Sequence, residues 1–132
     1  MGFINSRKER NLTDKLIEKL SVKLTDPNTE VSKLSGGNQQ KVSIAKWLSH
    51  DNKIMIIDEP TRGIDIGAKV EIYNLLNDLA SRGVGIILIS SETAELTGLC
   101  DRILVMRKGQ ICGELEKKDF SEEVILRLAI GA

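Results

Sequence analysis

Four consecutive apolar residues, Ile54, Met55, Ile56 and Ile57, run directly into Asp58, Glu59 and Pro60. No other segment limits the possible fold as strongly. The run does not alternate, so it predicts a strand covered on both faces, as in a parallel sheet flanked by helices. Pro60 ends the strand and fixes the turn. Open α/β sheets bind ligands beyond the carboxyl ends of their strands, which is where Asp58 and Glu59 stand.

Upstream lies Leu34-Ser35-Gly36-Gly37-Asn38-Gln39-Gln40-Lys41. Ser35 is expected to place its hydroxyl over the first free N–H groups of a helix spanning roughly residues 38–49. Gly36 and Gly37 leave no side chain between those N–H groups and an anion, and the helix dipole points its positive end the same way. A triphosphate oxygen is the natural ligand. Asp58 could then hold Mg²⁺, directly or through water, while Glu59, one residue further, polarises a water. A lone S-G-G would more often be a plain capped turn, and a lone D-E-P a solvated one. Their occurrence together reverses that balance. A phosphate loop of the form G-x-x-x-x-G-K-[ST] is absent, since none of the 11 glycines has a second glycine five positions later.

Residues 34–41, followed by I-M-I-I-D-E-P-T-R-G-I-D-I-G-A-K, resemble the ATP-binding-cassette (ABC) transporter ATPases. Residues 34–41 resemble the signature motif and residues 54–59 the Walker B strand with its catalytic glutamate. Gly63-Ile64-Asp65 resembles the D-loop, whose aspartate crosses the dimer interface. T-R-G-I-D-I-G-A-K, S-S-E and D-R-I-L-V-M-R-K-G-Q resemble one branch, the ribose/galactose-type sugar-import ATPases with two cassettes per polypeptide. The likeness is to the second cassette and runs from about Phe3 to Gly131.

This resemblance implies the C-terminal part of a P-loop NTPase core, with a largely parallel sheet flanked by helices. Residues 1–49 would be part of the helical subdomain, including the signature helix, and residues 50–132 part of the RecA-like core. The first strand, the Walker A loop and a glutamine-bearing loop would precede Met1. It also implies ATP hydrolysis coupled to import of a simple sugar, with ATP and Mg²⁺ as cofactors. Ser35, Gly36, Gly37, Asn38, Gln39 and Asp65 would bind nucleotide, Asp58 the metal, and Glu59 and Ser91 would be catalytic. The implied partners are a first cassette, transmembrane permease subunits and a periplasmic or extracellular sugar-binding receptor. The location would be peripheral, on the cytoplasmic face of the membrane.

Most of this family carry a histidine where this chain has Ser91, within Ser90-Ser91-Glu92. A serine hydroxyl donates a hydrogen bond but cannot carry imidazolium charge. The site built on Asp58 and Glu59 is therefore expected to be the impaired one of a pair. Ser35, Gly36 and Gly37 would complete the competent site, facing the Walker A loop of the other cassette.

Composition excludes some alternatives. With 19 basic and 19 acidic residues the chain is neutral, so no nucleic-acid partner is expected. That argues against an ABC protein of translation or DNA repair. No apolar stretch approaches the ~20 residues that span a bilayer. Cys100 and Cys112 lack metal spacing and read as reduced packing residues; His50 reads as a solvated residue after a helix. Two readings stay open: import of another small polar solute, and a non-catalytic fragment that docks by its signature face.

The pattern predicts helices over residues 13–23, 38–49, 66–81, 92–99 and 122–130, the last capped by Ser121 with a staple of Phe120 and Ile125. Strands are predicted over residues 54–57, 84–89, 102–106 and 110–115, the last two joined at Lys108-Gly109. Without the segment before Met1, apolar faces of residues 54–57 and 84–89 would be bare. The chain is therefore expected to self-associate.

Overall fold

The computed structural model describes residues 5–50 and 52–131. Phe3, where the resemblance begins, lies outside the described residues. The elements in order are α1 (Ser6–Lys19), α2 (Gly36–Leu48), β1 (Ile54–Asp58), α3 (Ile66–Ser81), β2 (Gly85–Ile89), α4 (Thr93–Leu99), β3 (Arg102–Arg107), β4 (Gln110–Glu116) and α5 (Glu122–Ile130). They form two compact units. The first holds α1, α2, α3 and the starts of β1 and β2; the second holds α4, β3, β4, α5 and the ends of β1 and β2.

In the first unit, α1 starts well before the expected residue 13. The Asn5 side-chain oxygen accepts a hydrogen bond from the Lys8 N–H at 3.1 Å and caps the helix. It also ends before residue 23, because Ser21 turns left-handed with φ 49°. This turn buries Leu20 and Val22. At the next turn Asp26 accepts from the Asn28 N–H at 2.9 Å, holding the chain around Pro27. α2 packs on both α1 and α3. α3 has the predicted bounds: Asp65 caps its start, Ile72, Leu76 and Leu79 form its buried stripe, and Gly83 at φ +89° follows its end.

β1 and β2 pair as a two-stranded sheet. The Gly85 N–H donates to Lys53 O at one end and the Glu59 N–H to Ile89 O at the other, so the strands run parallel. Full cover of β1 is not what is found. Met55 and Ile57 are buried, but Ile54 and Ile56 are 66% and 69% exposed. Ile87 and Ile89 of β2 are about half exposed.

In the second unit, β3 and β4 form an antiparallel hairpin whose register runs from Arg102 opposite Glu116 to Arg107 opposite Gln110. Lys108 (φ 49°) and Gly109 (φ 78°) turn it, both left-handed, as the twist of a two-residue hairpin requires. Ile103, Val105 and Leu115 pack with Ile125 of α5 into one core cluster, and Phe120 lies against it. Ser121 sits at the N-cap of α5 but makes no capping bond, which corrects the predicted cap. Both cysteines are free thiols. Burial, and then Asp101 and Glu95, push the Cys100 thiol up from its ordinary range, as suits a packing residue. Among the described residues, no helix is long and apolar enough to cross a membrane.

Candidate functional site

The sequence-predicted site residues fall into two groups, one in each unit. In the first unit, Ser35 opens α2 and Gly36 and Gly37 form its first turn, two residues earlier than expected. Ser35 and Gly36 are exposed. Ser35 does not cap the helix. Its Oγ instead accepts a hydrogen bond from the Asn38 side-chain amide at 2.9 Å. No side-chain acceptor therefore caps the first N–H groups of α2, and an oxyanion at the exposed end of that tip would meet uncapped donors.

Gly37 has a second task. It is buried, and a Cβ built on it would stand 2.5 Å from the Ala68 Cβ of α3. A missing side chain thus lets the first turns of α2 and α3 touch. Gly36 is less constrained: its Cβ would meet the Ile64 methyl at 3.2 Å.

The amides of Asn38 and Gln39 turn back into the chain. Asn38 Oδ1 accepts from the Lys23 N–H at 2.8 Å, and Gln39 Nε2 donates to Leu34 O at 2.8 Å. Asp65 caps α3, its Oδ1 accepting from the Ala68 N–H at 2.9 Å. Ser35, Gly37, Asn38 and Asp65 line one small groove of about 190 Å³, together with Lys23 and Glu71.

The sequence pattern missed Lys41 and Glu71. Lys41 is buried, and its ammonium lies 2.7 Å from Glu71 Oε2 and donates to Ser21 O at 3.0 Å. Lys23 reaches the other Glu71 oxygen at 3.4 Å. Bonding and attraction from Lys41, with Lys23 adding to them, hold the Glu71 carboxyl below its usual range. One signal was available: Lys41 falls four residues after Gly37 and three before Ile44, on the same helix stripe.

In the second unit, Asp58 ends β1 with its side chain exposed. Glu59 follows in a left-handed conformation, φ 46°, which a side chain adopts at some cost. Its Oε1 accepts a hydrogen bond from the Ser91 N–H at 2.9 Å. Ser91 thus meets Glu59 through its backbone N–H, a contact that the sequence reading, concerned with the Ser91 hydroxyl in place of an imidazole, did not include. Both residues stand at the strand end; among the described residues no group of three or more His, Cys, Asp or Glu side chains gathers to hold a metal ion.

Residues 4–62 match the ABC transporter family. The chain is 56% identical over 131 residues to ribose import ATP-binding protein RbsA 2 of Rhizobium meliloti, spanning 99% of this chain and 26% of that protein. It is 49% identical over 130 residues to the ribose import ATP-binding protein RbsA of Bacillus subtilis, spanning 98% of this chain and again 26% of the relative. The sequence is thus similar to ABC import ATP-binding proteins, and the fold is that of an ABC cassette. The fold is similar to the solved ATP-binding cassette MJ1267, with a TM-score of 0.80 at 22% identity over 97% of this chain and 52% of that one. It is also similar to the cassette MJ0796 in a dimeric post-hydrolysis state bound to ADP and Pi, with a TM-score of 0.76 at 23% identity over 88% and 50% of the two chains. The chain thus spans about a quarter of the curated relatives and about half of the solved cassettes.

Proposed function

We propose that this chain is part of the ATP-binding subunit of an ABC importer, and that it serves ATP hydrolysis coupled to uptake of a simple sugar such as ribose. The observation that carries this is the tip of α2: exposed Ser35 and Gly36 with N–H groups that no side chain caps, within sequence about half identical to ribose import ATP-binding proteins. The tip donates to the terminal phosphate of a nucleotide held by another cassette. Asn38 and Gln39 brace it from behind, and Asp65 stands beside it at the cassette interface. Residues 1–49 act as part of the helical subdomain, residues 50–132 as part of the core.

Asp58 and Glu59 belong to the chain's own half-site. Asp58 holds Mg²⁺, which when bound offsets phosphate charge. Glu59 accepts a proton from, or orients, the attacking water, its carboxylate aimed by the Ser91 N–H. Ser91 supplies no imidazole, so this half-site is the weaker of two. The partners in this reading are a first cassette, permease subunits and a sugar receptor, at the cytoplasmic face of the membrane. The bare faces of β1 and β2 cause the chain to self-associate when it stands alone.

In a two-cassette ATPase carrying this sequence as its second half, Ser35→Arg should abolish transport-coupled hydrolysis, while Ser91→Ala should leave most of it. The reverse order would overturn the division of labour. A second reading, a docking module without catalysis, is favoured by the missing G-x-x-x-x-G-K-[ST] loop. ATP titrated into the isolated chain should bind weakly, because most phosphate-cradling N–H groups and the lysine are absent. Tight Mg²⁺-dependent binding with turnover would refute that reading.

A further inference from the structure

We infer that Lys41 is a positioning residue that sets the aim of the α2 tip through its ion pair with Glu71. The inference rests on reading that tip as phosphate-seeking. Charged side chains are rarely buried without a fixed partner, because desolvation must be offset by paired charge and hydrogen bonds. Lys41 is buried and has both: the Glu71 carboxylate of α3 and the Ser21 carbonyl in the turn after α1. One side chain on α2 therefore ties three segments of the first unit together.

Its place on α2 gives the tie a direction. Gly37, Lys41 and Ile44 are the buried residues of that helix. Gly37 meets Ala68, and one turn further along each helix Lys41 meets Glu71. The close approach of Gly37 to Ala68 is a pivot, since two small groups in contact limit separation but resist rotation poorly. The ion pair one turn behind removes that freedom, because an ammonium at 2.7 Å from one carboxylate oxygen fixes how α2 lies on α3. Beside it, the Lys23 N–H holds Asn38 Oδ1, and Asn38 holds Ser35 Oγ. Rotation of α2 about its pivot would swing the N–H groups of Gly36 and Gly37 away from their line. The groups facing Glu71 are Lys41 from α2 and Lys23 from the turn after α1; Asp65 lines the same groove.

The test follows the amide resonances of Gly36 and Gly37 in the full chain, with no nucleotide present. Lys41→Met keeps the length and removes the charge, and should displace both resonances. Glu71→Gln, at a half-exposed position that tolerates change, should displace them in the same direction. Lys41→Arg should restore the wild-type positions. Ile44→Val, a packing change on the same stripe, should leave them in place. The inference is overturned if Lys41→Met and Glu71→Gln leave the two amides unmoved, or if Ile44→Val moves them as far. Tip geometry is read here without hydrolysis. A failed Ser35→Arg experiment would therefore count against the phosphate reading alone, and unmoved amides against Lys41 alone.

Discussion

Gly37→Ala isolates the packing role of a glycine that the sequence assigns to an anion. The added methyl would stand 2.5 Å from the Ala68 methyl. Carbon atoms pack best at about 3.5–4.0 Å, so the shortfall is about 1 Å or more. Neither methyl has a rotamer to turn, so the helices themselves must part. Overpacking of this kind costs about 1–3 kcal/mol, against which alanine returns about 1 kcal/mol of helix propensity. With no side chain able to yield, a net loss near the top of the remaining range, about 2 kcal/mol, is expected. With an m-value near 2 kcal/mol/M, urea unfolding should show the midpoint fall by roughly 1 M at unchanged slope. Adding Ala68→Gly restores the gap and should recover most of the loss. The reasoning is refuted if Gly37→Ala is neutral or stabilising, as a simple helix glycine would be, or if the double variant is no better than the single.

Asp65→Ala removes the side-chain cap of α3 and should cost about 1 kcal/mol in urea unfolding, whereas Ser121→Ala, at a position without a capping bond, should cost little. The folded pKa of Glu71 lies below its unfolded value, so its contribution to stability is present above the ordinary carboxylate range and is lost as pH falls through the folded value. Unfolding curves of the wild type and Glu71→Gln should therefore differ at neutral pH and converge in acid; a gap that persists unchanged would contradict the pairing with Lys41. Because Ser91 meets Glu59 through its N–H, Ser91→Ala should preserve that contact and Ser91→Pro should break it, as read from the Glu59 carboxyl carbon resonance. Ile56→Lys with Ile87→Lys should shift light scattering of the isolated chain toward monomer, since both side chains are at least half exposed on β1 and β2.

The elements that could be read from sequence carry their own punctuation. α3 has an aspartate cap, a periodic stripe and a closing glycine, and its bounds follow from those alone. The hairpin turn at Lys108 and Gly109 is equally local. What escaped depends on partners distant in the chain. A lysine at position 41 looks like a solvated helix residue until Glu71, on another helix, comes to meet it. The exposure of Ile54 and Ile56 cannot be read from an apolar run, which looks the same whether one or both of its faces are covered. In the site, the glycines at the start of α2 are plain from the sequence, but the choice of Ser35 Oγ to bond Asn38 rather than cap the helix is decided by an amide three residues on. The contact between Glu59 and Ser91 was not foreseen, because the sequence displays side chains and this bond is made by the backbone N–H of a residue 32 positions away.

Glu59 stands in a posture, φ 46°, that glycine or asparagine would adopt more cheaply. The chain thus spends about 1 kcal/mol or more to keep a carboxylate there. Replacing Glu59 with Gly should yield a protein harder to melt and yet less able to do its work. Selection for thermal robustness alone would act against this residue, so a hardened variant ought to be checked here before its loss of activity is blamed on stiffness elsewhere.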